Sequence, residues 1–280
     1  MKNKDGAVIM EKINDMYSKP LTDFFEQCLI EVDSIPNGMP SIFIPGVGEN
    51  YLSSKKKKIL YIGIDTNEWF DLKKEVFKYS ENKQEFIKDY LGYADKGLHD
   101  LCHAKEWYNK NSQFWKFIMK LQMKLHNPAF ELSKLDQCLK DDQIEDYRTI
   151  LTSFAWGNCN AIQCLRDSAF DKKNYQKIKG FSSEFDHLST MTKALKPDVV
   201  IILNWGENES FIQPQDDPTL YECKQERMDG KVKVFHYKAK DGEHPPVIWS
   251  YHPQWMVRRE DIDTVVEYIL RLEPFQDASK

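Results

Sequence analysis

The sequence lacks any apolar run long enough to cross a bilayer. A membrane-spanning helix needs roughly 20 consecutive apolar residues, and no stretch of this chain approaches that length. The opening MKNKDGAVIMEKIND also lacks the continuous apolar segment of a signal peptide. We therefore expect a cytoplasmic protein without a membrane partner.

Closely spaced cysteine pairs are absent too. None of the 6 cysteines belongs to a C-x-x-C pair, the spacing used by many structural zinc sites and by thiol exchange sites. The sequence therefore predicts free thiols, no bound metal and no cofactor. The cysteines are Cys28, Cys102, Cys138, Cys159, Cys164 and Cys223.

A basic excess is missing as well. The formal net charge is −5, so no overall positive field draws the chain to nucleic acid, and any such contact must rest on a local patch. Aromatic side chains are plentiful at 13% of residues, which favours aromatic-lined clefts beside an aromatic core. The 280 residues suffice for one large α/β domain or for two small ones.

Helical periodicity accounts for much of the chain. Apolar residues recur at helical spacing over four stretches, one of which has a polar middle at 93–112 that we expect to form a loop. Pro20 should divide the first helix, because its ring disfavours helical geometry in the preceding residue. Charged residues at 129–147 predict a surface excursion within a helical layer over 71–147. The helical stretches are 8–31, 71–127, 182–195 and 261–272.

Four apolar, β-branched runs predict strands buried on both faces. Helical stretches separate them, which is typical of parallel strands joined by crossover helices. We therefore predict a single domain over 1–280, a three-layer α/β/α sandwich around a four-stranded parallel sheet, with a helical and turn-rich lead-in at 1–58. A hairpin turning at Asp229-Gly230 is expected over 219–237. The four runs are 59–64, 150–157, 198–204 and 245–251.

Each of the four runs gives way abruptly to polar residues. An open parallel sheet binds ligands beyond the carboxyl ends of its strands, so these polar segments predict one shared cleft. Together they supply a carboxylate, amides, aromatic rings and one titratable imidazole, a set that suits a planar, hydrogen-bonding ligand such as a nucleobase. The segments are Gly63 to Asn67, Asn158 to Gln163, Asn204 to Glu207 and Tyr251 to Trp255.

The order of these motifs resembles the uracil-DNA glycosylase superfamily. It is most similar to a bacterial branch whose members begin with a segment like F-x-P-x-V-G-x-N-Y, here FIPGVGENY at 43–51. A strand with an acid-containing glycine loop follows at 59–67, and the resemblance spans about 43–272 in all. The later matches are an N-x-x-Q element at Asn160 and Gln163, a Pro-Asp-Val-Val strand from Pro197, and a His-Pro loop at His252-Pro253.

This resemblance implies a DNA-repair hydrolase that flips a damaged base out of DNA and cleaves its N-glycosidic bond. It implies Asp65 as the catalytic carboxylate and His252 as the group that stabilises the leaving base. Trp255 or Met256 would enter the gap left in the helix, while Arg258 and Arg259 would contact phosphates. Taken with the strand ends, the expected base-binding residues are Gly63, Asn67, Asn158, Asn160, Gln163, Asn204 and Trp205.

Two other functions stay open. The closer relatives carry a Gly-Glu-Ser-His-Tyr-like first loop, whereas this chain has Gly-Ile-Asp-Thr-Asn at 63–67. One alternative is therefore a catalytically inactive protein that binds nucleobases, nucleotides or single-stranded nucleic acid. The other is a metal-dependent phosphoesterase using Asp65, Glu68 and Asp71, which lacks the second acidic cluster of two-metal sites.

A nucleic-acid function also predicts a basic rim around the cleft. The local sources of positive charge are the four consecutive lysines at 55–58, the pair Lys172 and Lys173, and the pair Arg258 and Arg259. We expect at least one of these groups to lie near His252.

Overall fold

The computed structural model of the chain describes residues 4–52, 56–63, 70–103, 113–135, 137, 149–150, 152–158, 187–204, 221–222, 232–239, 242–257 and 262–275. In this part of the chain no helix is long and apolar enough to cross a membrane. The contacts of the chain group into two units. The first is Met1–Pro45, Ile64–Ala94 and Gly157–Leu195, and the second is Gly46–Gly63, Asp95–Trp156 and Lys196–Lys280.

Both helices and strands occur along the described residues. The α-helices are α1 (Lys4–Ile30), α2 (Leu72–Glu81), α3 (Lys83–His103), α4 (Gln113–His126), α5 (His187–Leu195), α6 (Pro253–Val257) and α7 (Ile262–Ile269). The strands are β1 (Gly46–Val47), β2 (Ile59–Gly63), β3 (Ala155–Asn158), β4 (Val199–Asn204), β5 (Tyr221–Glu222), β6 (Val232–Ala239), β7 (Gly242–Glu243) and β8 (Val247–Tyr251).

The sheet confirms the predicted α/β class but is larger than predicted. Strands β2, β3, β4 and β8 match the four predicted runs, with β3 starting at Ala155 instead of residue 150. Six strands pair in the order β1-β3-β2-β4-β8-β6, and the two-residue strands β5 and β7 both pair with β6. The prediction of four strands is therefore wrong. The sheet is also not wholly parallel, because β1 is antiparallel to β3 and β6 is antiparallel to β8.

The hairpin predicted over 219–237 supplies the extra edge of the sheet. Its two arms are β5 and β6, which pair antiparallel with Tyr221 opposite Tyr237. The alternating run in β6 then pairs with β8, where Val234 lies opposite Ile248. Alternation of apolar and polar residues indicates a strand with one buried face, but it does not identify the neighbouring strand. The antiparallel pairing of the two arms confirms the predicted hairpin. Its predicted turn at Asp229-Gly230 lies outside the described residues, and the place of β6 in the main sheet was not predicted.

The FIPGVGENY segment attaches β1 to β3 through contacts that leave no room for a side chain. A Cβ atom on Gly48 would meet the carbonyl oxygen of Thr152 at 1.9 Å. The amide of Gly48 donates to the carbonyl of Phe154, and the amide of Asn50 donates to that of Thr152, at 2.9 and 3.0 Å. The Asn50 side chain adds a 2.7 Å hydrogen bond from Nδ2 to the Thr152 hydroxyl. This motif therefore has an architectural role in the second unit.

In the first unit, α1 is one continuous helix of 27 residues with Pro20 inside it. The prediction that Pro20 divides this helix is wrong. Tyr17, Leu21, Phe24 and Phe25 are at most 1% exposed, and α1 packs against α2 and α5. Burial of this apolar face, worth about 2 kcal/mol per large side chain, offsets the missing hydrogen bond at proline.

Aromatic rings fill the core of the first unit. The centroid of the Phe25 ring lies 4.8 Å from the ring centroid of Phe86 and 5.4 Å from the ring centroids of Tyr79 and Tyr90. Nearby Cys28 is a free, buried cysteine, and burial raises the pKa of its thiol to about 12. The prediction of a free thiol is therefore confirmed at this position.

Helix α3 continues through part of the segment that was predicted to be a loop. The expectation of a loop over 93–112 is wrong for residues 93–103, which are helical. Residues 104–112 lie outside the described part of the chain. Polar composition misled the prediction, because a helix with a polar face needs only a narrow apolar stripe to pack.

In the second unit, one face of the sheet packs in a large apolar cluster with three helices. Alternate residues of β2, β4 and β8, among them Tyr61, Ile201 and Ile248, pack in a cluster with α4, α6 and α7. Two ion pairs join the helices, from Lys120 to Asp263 at 2.5 Å and from Lys124 to Glu267 at 3.1 Å. This packing fixes the ends of α4 relative to the sheet.

Candidate functional site

Parallel pairing brings the carboxyl ends of three strands to one edge of the sheet. Strand β4 lies between β2 and β8 and is parallel to both. The register pairs Asn204 with Tyr251, so the backbone of Asn204 adjoins the residue before His252. Strands β2 and β8 are two strand spacings apart, about 10 Å. The predicted meeting of strand ends is confirmed for these three strands.

His252 stands between β8 and α6 and is tied to that helix by two hydrogen bonds. Its carbonyl accepts from the amide of Trp255 at 2.8 Å, and its ring Nδ1 accepts from the amide of Gln254 at 3.3 Å. A ring nitrogen that accepts a hydrogen bond carries no proton. In the neutral imidazole this geometry assigns the proton to Nε2, which makes that atom a hydrogen-bond donor.

An aromatic cluster adjoins His252, formed by Phe114, Trp115, Trp156 and Phe154. The Phe114 ring lies nearly parallel to the imidazole, with planes 15° apart and centroids 6.4 Å apart. Trp115 meets Phe114 and Trp156 edge to face, with centroids 5.2 and 4.9 Å apart. Phe114, Trp115 and Trp156 are all partly exposed. The cluster offers flat apolar surfaces beside a hydrogen-bond donor.

Sequence reasoning did not associate Phe114 or Trp115 with the site. Phe114 fits the apolar stripe of a helix, and Trp115 has no motif around it, so neither residue signals a contact with His252. Their adjacency at the first turn of α4 was a weak signal, because two neighbouring aromatics cannot both face the core of a helix. Only the packing of α4 against α6 brings them to the His-Pro loop.

The two predicted wedge residues differ in exposure. Trp255 is 37% exposed on α6, whereas Met256 is 3% exposed and belongs to the apolar core. A side chain that enters a nucleic acid duplex must project from the protein. The structure therefore leaves Trp255 as the wedge candidate and gives Met256 a packing role.

Three of the expected base-binding residues lie within the described chain. Gly63 is the last residue of β2 and is buried, and Asn158, the last residue of β3, is 1% exposed. Asn204 is the last residue of β4. Each therefore ends a strand, as predicted. Seven further predicted site residues lie outside the described residues, namely Asp65, Asn67, Asn160, Gln163, Trp205, Arg258 and Arg259.

The acidic residues offered for a metal site are only partly described. Asp71 precedes α2 and caps it, since its carboxylate accepts from the amide of Lys74 at 3.1 Å. That hydrogen bond accounts for an acidic residue at this position. Asp65 and Glu68 lie outside the described residues. Within the described part of the chain, no group of three His, Cys, Asp or Glu side chains could hold a metal ion.

The lysine run does not border His252. Lys56 to Lys58 precede β2 and so lie at the amino edge of the parallel strands, where Lys58 donates its amide to the Asp198 carboxylate at 2.7 Å. His252 follows the opposite, carboxyl end of β8. A strand of five residues is about 16 Å long, so these lysines lie away from His252, and the expected basic rim depends on the other two pairs. Lys172, Lys173, Arg258 and Arg259 lie outside the described residues.

A buried polar network lies near the other end of α4. Gln122 donates from Nε2 to the Tyr61 hydroxyl at 2.9 Å and accepts at Oε1 from the Ser153 hydroxyl at 3.2 Å. The Ser153 oxygen is also 3.2 Å from His126 Nε2. Burial, and then the positive charge of Lys56, lower the pKa of His126 below its usual 6.5. The network joins β2, α4 and the turn before β3.

The carboxyl edge can therefore supply an oriented imidazole donor, flat aromatic surfaces and a projecting tryptophan. Such a set can hydrogen-bond the edge of a planar ligand and stack on its face. No protein-family model, no curated protein and no solved structure matches the chain.

Proposed function

We propose that this protein is an N-glycosidic hydrolase that removes a nucleobase from DNA. The observation that carries the proposal is the hydrogen bond at His252, whose Nδ1 accepts from the Gln254 amide, a geometry that assigns the proton of the neutral imidazole to Nε2. A neutral imidazole held in this way can donate a hydrogen bond to an oxygen that becomes negative. Its position beyond β8, at the carboxyl edge of parallel strands, is the usual location of a ligand site in such sheets.

In the proposed reaction, the bond between the base nitrogen and the sugar C1′ breaks, and its electron pair leaves with the base. Negative charge then develops on a carbonyl oxygen of the base, and the hydrogen bond from Nε2 strengthens as that charge grows. A water molecule adds to C1′, and its proton is released. Asp65, assigned from the sequence resemblance alone, would orient that water or stabilise the positive sugar.

The base must leave the helical stack before this chemistry can take place. Trp255 supports this step, because it is 37% exposed and lies one helical turn after His252. Its indole can fill the space that the flipped base vacates. Phe114 and Trp115 supply apolar surface near the imidazole.

The test is a cleavage assay on labelled oligonucleotides that carry uracil or another damaged base, in single-stranded and duplex form. Wild type should leave abasic sites, and His252→Ala should lower the rate about a hundredfold or more. His252→Gln retains a hydrogen-bond donor and should recover part of that loss. Asp65→Asn and Asp65→Ala test the carboxylate separately. Release at the wild-type rate by His252→Ala would rule out the role of His252.

The second candidate is a protein that binds single-stranded nucleic acid without cleaving it. The partly exposed cluster of Phe114, Trp115 and Trp156 favours this function, because bases stack on aromatic side chains with about 1–3 kcal/mol each. Binding that weakens with salt, without abasic products, would identify this function. Trp156→Ala should then weaken binding about tenfold, whereas His252→Ala should leave it nearly unchanged.

A further inference from the structure

Phe114 faces the imidazole of His252 from the first turn of α4. The ring planes are 15° apart and the centroids are 6.4 Å apart. Phe114 is partly buried against the apolar core of the second unit, and α4 packs against α6, the helix that follows His252. Two elements that are distant in sequence therefore meet at the imidazole ring.

The hydrogen bond at Nδ1 constrains the imidazole only weakly. Its length of 3.3 Å exceeds the usual range for a donor N–H, and hydrogen bonds weaken as they lengthen. Rotation about the Cβ–Cγ bond would turn the imidazole out of its nearly parallel arrangement with the Phe114 ring. Trp115 packs edge to face against Phe114, with centroids 5.2 Å apart, and limits the movement of Phe114 in turn.

We propose that Phe114 is a positioning residue, which holds the His252 imidazole with Nε2 directed at the leaving base. This inference rests on the proposed function. Phe114 acts through His252 and takes no part in bond breaking. Orientation matters because a donor stabilises developing charge only when it is already aimed at the charged atom, and small misplacements cost large factors in rate.

Three variants separate ring stacking from simple packing. Phe114→Leu keeps an apolar side chain but removes the flat ring, whereas Phe114→Tyr keeps the ring. Phe77→Leu is the matched control, because Phe77 is 54% exposed on α2 in the first unit. Each protein is first compared with wild type by thermal unfolding, so that activity is interpreted only for folded protein.

The first measurement reports on the ring without requiring activity. Nitrogen-15 NMR of the His252 imidazole distinguishes the Nε2–H tautomer from the Nδ1–H tautomer. Wild type, Phe114→Tyr and Phe77→Leu should show the Nε2–H tautomer, while Phe114→Leu should show a mixture. A wild-type spectrum for Phe114→Leu would overturn the inference.

The second measurement is the rate of base release. Phe114→Leu should lower kcat about tenfold to a hundredfold with KM within twofold of wild type, and Phe114→Tyr should stay within threefold in both. Equal losses for Leu and Tyr would contradict positioning by the ring. If wild type releases no base, the proposed function fails, and the tautomer measurement alone decides whether Phe114 orients His252.

Discussion

At the scale of single residues, close contacts place the strictest demands on the chain. The atoms around Gly48 leave no space for a side chain. The surroundings of His126 disfavour the protonated form of its imidazole. Gly48 packs against the backbone before β3, and His126 is the last residue of α4, whose first turn faces His252. Substitutions there should change stability and leave the neutral-pH chemistry of the folded protein intact.

Gly48→Ala should lower the free energy of unfolding by about 2–3 kcal/mol, because the added Cβ meets backbone that cannot move aside easily. The nearest atom, the Thr152 carbonyl oxygen, would be 1.9 Å away. Gly92→Ala is the matched control, since Gly92 is helical with open space around it and alanine favours helix by about 1 kcal/mol. Urea denaturation of both variants checks the opposite signs, and a neutral Gly48→Ala would contradict this account of the motif.

His126 should make stability depend on pH. Its folded-state pKa is lowered from 6.5 by burial and by Lys56, so the unfolded chain binds the proton first as pH falls. Its contribution to stability is therefore complete above about pH 6.5 and is lost as pH falls toward the folded-state pKa. Urea midpoints at pH 7.5 and 5.5 measure the loss.

Two substitutions identify the cause of that pH dependence. His126→Gln removes the titrating group and should flatten the profile between the two pH values. Lys56→Gln removes the like charge and should reduce the loss at pH 5.5 only in part, because burial is the larger cause. An unchanged profile in His126→Gln would assign the effect to another group.

At the scale of elements, α1 and α4 each contain a residue that is unusual at its position. Helix α1 keeps a proline in its interior, and α4 keeps a glutamine in the core. Gln122 is 1% exposed, and its amide donates a hydrogen bond to the buried Tyr61 hydroxyl. Each of these features makes a quantitative prediction.

Pro20→Ala should stabilise α1. Alanine supplies the amide that proline lacks and relieves the contact of the ring with the preceding turn, worth up to about 3 kcal/mol for a helix interior. We expect a gain of about 1–2 kcal/mol, since the native helix has already adapted to the ring. Lys19→Ala, at an exposed neighbour whose side chain is 83% exposed, should change stability by less than about 0.5 kcal/mol. Thermal unfolding compares the two, and a destabilised Pro20→Ala would contradict the prediction.

The Gln122 network should show coupling between α4 and β2. Gln122→Leu leaves the Tyr61 hydroxyl buried without its partner and should cost about 2–3 kcal/mol. Adding Tyr61→Phe removes that hydroxyl and should recover about 1–2 kcal/mol. The double variant should therefore be more stable than the summed effects of the two single substitutions imply. Urea denaturation of the four proteins in the cycle measures the coupling. Simple additivity would indicate that the hydrogen bond of 2.9 Å contributes nothing.

At the scale of the whole molecule, the charge of the protein disfavours a broad surface for binding nucleic acid. The net charge is −5, and the lysine run lies at the amino edge of the sheet, opposite His252. The double substitution Lys56→Gln and Lys57→Gln should therefore leave affinity for oligonucleotides within about twofold of wild type. Fluorescence anisotropy at fixed salt measures this, because each lost phosphate contact weakens binding and makes its salt dependence shallower. A tenfold loss would place the nucleic acid on the amino edge.

Local patterns predicted the parts of the fold that depend on near neighbours. The buried runs gave β2, β4 and β8 nearly to the residue, because a strand buried on both faces has a continuous apolar sequence. Helix α4 ends at His126, one residue before the end of the predicted helical stretch 71–127. The place of β6 in the sheet and the packing within α1 depended on partners far along the chain, which periodicity does not specify.

The candidate site was predicted in the same uneven way. The polar residues at the strand ends were found because each follows a recognisable apolar run. Phe114 was missed because its helical stripe explained it fully, although it lies against His252. Met256 was proposed as a wedge from its place after His-Pro, and only the packing of α6 revealed that it is buried.

The attachment of β1 to β3 also affects how the protein behaves in concentrated solution. An uncovered sheet edge offers unpaired amides and carbonyls to any passing strand, which is a common route to aggregation. Here the edge strand beyond β3 has only two residues, and the backbone after it turns aside at Gly48 to Tyr51. The FIPGVGENY segment thus protects the edge of the sheet at β3 from pairing with another chain. A variant that lacks this segment should therefore form fibres or oligomers through the exposed edge of β3.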